Sequence, residues 1–148
     1  MTDKREAILQ RLVEIAAGID GVVTAVRNQD EISEHARPAI AVFDADEAAD
    51  EQAWQHGHPG RAPNIVEMTP EVVILLGALP ERVGTALNEL RAALVKTVLT
   101  DAQLIALVGS NGRTRYAGCS THLRHGRSIE GAMAVQFAFA YVLRPSEL

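Results

Sequence analysis

From Met133 to Leu143 the chain alternates large and small side chains without a break. Met133, Val135, Phe137, Phe139, Tyr141 and Leu143 take the odd positions, while Ala134, Gln136, Ala138, Ala140 and Val142 lie between them. Strict period-2 patterning belongs to a β-strand whose two faces meet different neighbours. At roughly 3.3 Å per residue, Gly131 to Leu143 spans about 43 Å, well beyond an ordinary strand of about 5–6 residues. Two of the three phenylalanines lie here, so the bulky face needs a cover. The alanine face is small enough for another backbone layer or another subunit to come close. A strand this long is expected at the centre of a sheet.

The other segments supply the cover. Asp3 to Ala17 reads as a helix: Ile8, Leu12, Ile15 and Ile19, flanked by Leu9, Val13 and Ala16, form one apolar stripe. Asp3 with Glu6 resembles a capping box, and Gly18 is a candidate C-cap. Pro80 opens a second helix, with Val83, Leu87, Leu90, Leu94 and Val98 on one face. Thr100 with Gln103 predicts the cap of a third, short helix that Gly109 ends. Strands are predicted at Val22–Arg27, from Pro38 to Asp44, at Ile65–Gly77 with an irregularity at Pro70, at Arg113–Leu123, and from Ser128 onward. The order α-β-β-β-α-α-β-β describes an α+β fold, a mixed and mainly antiparallel sheet with helices on one face. With 148 residues this is one domain, residues 1–148. The stretch at about 45–64 reads as a long acidic, histidine-containing loop without structure of its own.

The net charge of −5 argues against a general nucleic-acid-binding surface. The single cysteine, Cys119, excludes an intrachain disulfide and reads as a small buried residue of a strand. The N-terminal MTDKREAILQ lacks the apolar core of a signal peptide, and no apolar run reaches the roughly 20 residues of a membrane helix. No phosphate loop, nucleophile elbow or cofactor-binding pattern is legible. Gly109–Gly112, GSNG, reads as a helix stop and turn. His56 and His58 stand one residue apart beside carboxylates, but a metal would need two further ligands. The same holds for His122 and His125 around a hairpin tip. A metal-dependent enzyme using the His56/His58 loop is therefore the weaker alternative, and no catalytic, cofactor or metal residue is assigned.

What the sequence does show is charge segregation. Asp44, Asp46, Glu47, Asp50 and Glu51 place five acids in eight residues, followed by Trp54. Arg113, Arg115, Arg124 and Arg127 surround the last hairpin. These are either two solvated faces or the unlike halves of a heterologous subunit contact, with Trp54 as a loop anchor or a partner contact.

Taken in order, KREAILQRL, RPAIAVFDADE, MTPEVVILLG, LNELRAALVKTVLTDAQLIALV and RYAGCSTHLRHGRSIEGAMAVQFAFAYVLRP resemble the tail-terminator (minor tail) proteins of long-tailed phages and phage-like gene-transfer particles. The resemblance covers nearly the whole chain apart from 45–64, and rests on pattern and element order. It implies a structural virion protein, not an enzyme. Such a protein forms a homo-oligomeric ring, hexameric in that family, at the head-proximal end of the tail tube. The ring ends tube polymerisation and offers a joining surface to head-completion or connector proteins; DNA only passes through its lumen, and no membrane is involved. A head-completion, connector or tube subunit of the same particle is the alternative within that class.

Overall fold

The computed structural model describes residues 3–49, 64–124 and 129–148. Its elements are α1 (Lys4–Ala17), β1 (Thr24–Arg27), β2 (Ala39–Phe43), β3 (Glu47–Ala49), β4 (Asn64–Met68), β5 (Glu71–Ala78), α2 (Pro80–Thr100), α3 (Ala102–Val108), β6 (Arg113–Arg124) and β7 (Ile129–Leu143), with 3-10 turns at Glu34–Ala36 and Pro145–Glu147. The fold is α+β: three helices and a mixed, mostly antiparallel seven-stranded sheet.

β7 has neighbours along both sides. β6 pairs with it on one side, from Arg113↔Ala140 to Arg124↔Glu130. On the other side β4 and β5 follow each other, from Asn64↔Leu143 to Ala78↔Ile129, with no residue gained or lost between them. The single strand expected at Ile65–Gly77 is therefore two strands lying end to end. The break falls at Thr69–Pro70, where proline has no N–H to donate; its carbonyl still accepts from the Phe137 N–H at 3.3 Å. β2 and β3 also lie end to end, along the far side of β5 and β4, with one extra residue between them. β1 closes that edge in parallel with β2. Five strand lines result, with β7 second from one edge.

Three corrections to the sequence reading follow. The order is α-β-β-β-β-β-α-α-β-β. Part of the acidic stretch, Glu47–Ala49, is strand; Asp50–Pro63 lies outside the described residues. The third helix is capped one residue later than expected. Thr100 belongs to α2, where its hydroxyl donates to the Lys96 carbonyl at 2.7 Å, and the Asp101 carboxylate accepts from the Leu104 N–H at 3.0 Å. The Asp3 carboxylate does accept from a helix N–H, that of Arg5 at 3.2 Å, but Glu6 turns away to Arg27. Gly18 ends α1 in right-handed geometry, whereas Gly109 ends α3 at φ 79.

The helices cover one face only. Ile8, Leu9, Leu12 and Ile15 of α1, Val83, Leu87, Leu94 and Val98 of α2, and Leu104 and Val108 of α3 are buried with Met133, Val135, Phe137, Phe139 and Tyr141. Burying one such side chain stabilises the fold by roughly 1.5–3 kcal/mol. Leu90 is half-buried at the margin of this core. On the opposite face, among the described residues, a small cluster forms, Ile32 with Ala39 and Ala41, against Val26, Ala36, Phe43 and Leu75. Along β7 that open face carries Ala132, Ala134, Gln136, Ala138 and Ala140.

Candidate assembly surface

Strand register decides where the charged groups sit. Ala49 and Asn64, which flank the acidic and histidine-rich segment, lie at the end of the sheet that carries Leu143. Arg124 and Ile129, which flank the last hairpin turn, lie at the opposite end. The two segments are thus joined to opposite ends of one sheet. Arg113 and Arg115 share the acidic end: Ala48↔Glu67, Glu67↔Ala140 and Ala140↔Arg113 form one continuous row across four strands.

The acidic block is not one patch. Asp44 and Glu6 share the guanidinium of Arg27. Its Nε and Nη2 donate to Asp44 at 2.7 and 2.9 Å, and its Nη1 and Nη2 donate to Glu6 at 2.7 and 2.9 Å. Arg27 holds both carboxyls below the usual carboxylate range, chiefly by these hydrogen bonds. Glu47 accepts a hydrogen bond from the buried Tyr141 hydroxyl. Burial first, then the Glu47 carboxylate, pushes the Tyr141 phenol upward. Arg5 Nη2 donates to the Ala45 carbonyl at 2.8 Å. Asp44 and Glu47 therefore fasten the start of β3 to α1 and β7. Asp46 is exposed, and its carbonyl accepts from the Thr69 N–H at 3.1 Å. Asp50, Glu51 and Trp54 lie outside the described residues, as do His56 and His58.

On the basic side, Arg113 and Arg115 are exposed. Arg115 meets Glu67 at 3.3 Å. Arg115 is the partner of Ala138 and Glu67 the partner of Ala140, so the pair spans β7 above two alanines and Ala138 is buried. Only small side chains on β7 permit that bridge. Arg124 ends β6 opposite Glu130; Arg127 and His125 lie outside the described residues. Ala48, Ala49, Ile65, Glu67, Arg113 and Ala140 line an open depression of about 480 Å³ at this end of the alanine face. At the other end Arg37 reaches Glu130 at 3.5 Å, beside His122 and Asp30.

Cys119 is exposed, which corrects its reading as a small buried residue. It lies on the helix side opposite Val135, where Cys119, Thr121 and Leu123 are all exposed. Among the described residues no group of three or more His, Cys, Asp and Glu side chains is arranged to hold a metal, and no helix is long and apolar enough to cross a membrane. Sequence reasoning missed Arg27, Glu67 and the Tyr141–Glu47 contact. Their partners are 17 to 94 residues away in the chain, and no local pattern marks such pairs. The chain matches no protein-family model and no curated protein sequence.

Proposed function

We propose that this protein is a ring-forming structural subunit that ends the tail tube of a phage or phage-like particle, at the neck of the virion. The segment order set out above supports the reading. The observation that carries it is the one-sided sheet. Helices bury one face, while on the other the fifteen-residue β7 carries alanine at four positions, Ala132, Ala134, Ala138 and Ala140. A face of small residues without a helix over it suits contact with other copies or with a tube end, where backbones approach closely. Unlike charges at the two edges suit heterologous closure, in which one surface meets a different surface of the next copy.

In this role the task is surface complementarity: one side of the ring matches the end of the tube and the other receives the head-joining protein. Tail tube protein, head-completion protein and further copies of this chain are the partners. The test is the mass of the purified protein by light scattering, electron microscopy of the particles, and addition to preformed tubes of the cognate tube protein. Closed rings that stop tube growth are expected. Incorporation along growing tubes would make the chain a tube subunit instead. A monomer at every concentration would refute the ring.

A further inference from the structure

Resting on the ring reading, we infer that neighbouring copies join edge to edge, with the Arg113–Tyr116 segment of β6 laid antiparallel against β3 (Glu47–Ala49) of the next copy. Among the described residues each of these strands has a partner on one side only. β6 runs antiparallel to β7, β7 to β4, and β4 to β3. Three reversals leave β6 and β3 pointing in opposite directions at opposite edges of the sheet. A copy displaced sideways, without being inverted, therefore offers its β3 antiparallel to β6, and the alternation continues across the junction. The two strands also stand at the same height, since Ala48 and Arg113 share a row. Two rows along, the Thr69 N–H bond to the Asp46 carbonyl sets Asp46 level with Arg115.

Charge selects this pairing over the two-fold alternatives. If β6 paired with itself, Arg113 would oppose Arg115 in a short register or Arg124 in the full one. β3 paired with itself would bring Asp46 and Glu47 of both copies together. Like charges directly opposite one another disfavour both arrangements, while β6 against β3 sets Arg115 beside Asp46. Length agrees as well. All three residues of β3 are exposed, and β6 offers four residues before its register shifts between Tyr116 and Gly118; such a bulge ends regular pairing.

Disulfide trapping in the full chain with Cys119→Ser tests the contact. Ala48→Cys and Arg113→Cys are made singly and together, at positions whose side chains are exposed. Oxidation of the double variant should give a ladder of covalent oligomers. An equimolar mixture of the two single variants should stop at dimers, and neither single variant alone should cross-link. In a second arm without cysteine substitution, Arg115→Glu should raise the concentration needed for half-assembly about tenfold at low salt, and Asp46→Lys should restore part of it. Assembly by mass without a ladder, or Ala48→Cys homodimers, or assembly indifferent to Arg115→Glu, would overturn the edge contact and leave the ring reading standing. A folded wild-type monomer at all concentrations would refute the ring reading, and the contact with it.

Discussion

Gly112 and Gly84 should respond to the same substitution with opposite signs. A Cβ on Gly112 would press on the Val108 carbonyl, 2.8 Å from its carbon, and sit 2.5 Å from the Ala140 carbonyl oxygen. These are backbone atoms: the end of α3 on one side, β7 on the other. No rotamer change relieves them, so β6 must move away from β7 or α3 must shift off the core it covers with Leu104 and Val108. Overpacking that side chains can absorb costs about 1–3 kcal/mol; with backbone on both sides the cost should reach about 3 kcal/mol or more. At about 2–4 °C per kcal/mol for a chain near this length, the midpoint should fall by roughly 6–12 °C. Gly84 lies in α2 with nothing within 4 Å of its Cβ position. Gly84→Ala should therefore gain about 0.5–1 kcal/mol from helix propensity alone. Urea unfolding followed by circular dichroism measures both. A Gly112→Ala protein within about 0.5 kcal/mol of wild type would refute the close approach of α3, β6 and β7.

Leu94→Ala should cost about 2–5 kcal/mol, as a fully buried large-to-small change, and Leu90→Ala distinctly less because Leu90 is half-buried; denaturant melts of the pair check the order. Thr114→Val should leave stability unchanged or raise it by about 1 kcal/mol, since the buried Thr114 hydroxyl has no hydrogen-bond partner among the described residues; a loss above that in urea melts would reveal one. Asp101→Ala should cost about 0.5–2 kcal/mol through loss of the α3 cap, with the Arg11 pair lost besides. Asp101, like Glu6 and Asp44, is held below its ordinary range by a bonded arginine. Its contribution is therefore present above the unfolded value near 4 and lost as pH falls through the depressed folded value. Melts from pH 7 to pH 2 should show stability falling below about pH 4, less steeply in the Asp101→Ala protein.

The long elements were legible because each has a strong period. β7 alternates for eleven residues, and the apolar stripes of α1 and α2 are the faces found buried. β3 was not legible: Glu-Ala-Ala has no apolar alternation and is strand only because β4 lies beside it, a tertiary effect that overrides propensity. The α3 cap was misplaced because two adjacent residues could serve. Arg11, ninety positions away, holds Asp101 at 2.8 and 3.0 Å, and that contact cannot be read locally. The charged residues of the candidate surface were visible as types, but their distribution between the two ends was not. The register divides the arginines, placing Arg113 and Arg115 at the end of the sheet that leads into the acidic stretch and Arg124 at the other.

The irregularities of the strands are themselves ordered. β2 passes to β3 through one extra residue beside Ala45, at φ 53; β4 passes to β5 at Thr69–Pro70; β6 gains one residue between Tyr116 and Gly118, whose φ is 138. All three lie within about two rows of Phe137, which is buried and touches the rings of Tyr116 and Phe139 at 6.3 and 6.4 Å. None of them is needed to aim side chains. Phe43 and Glu71 share the open face, and Glu47 and Met68 share the helix face; Tyr116 and Gly118 already take opposite faces with their partners Phe137 and Gln136. A regular ladder without the extra residues would keep the same faces. What bulges add is local bend and twist, and here the sequence places three devices, a left-handed alanine, a proline and a glycine, on three strand lines at one level, with the unbroken β7 between the last two. The Arg27 clamp and the Arg5 bond to Ala45 fasten α1 to the same line. These irregularities separate a half carrying β1, β2 and β5 from a half carrying β3, β4 and the start of β6. It is this second half whose two edges carry opposite charge, Asp46 and Glu47 along one and Arg113 and Arg115 along the other.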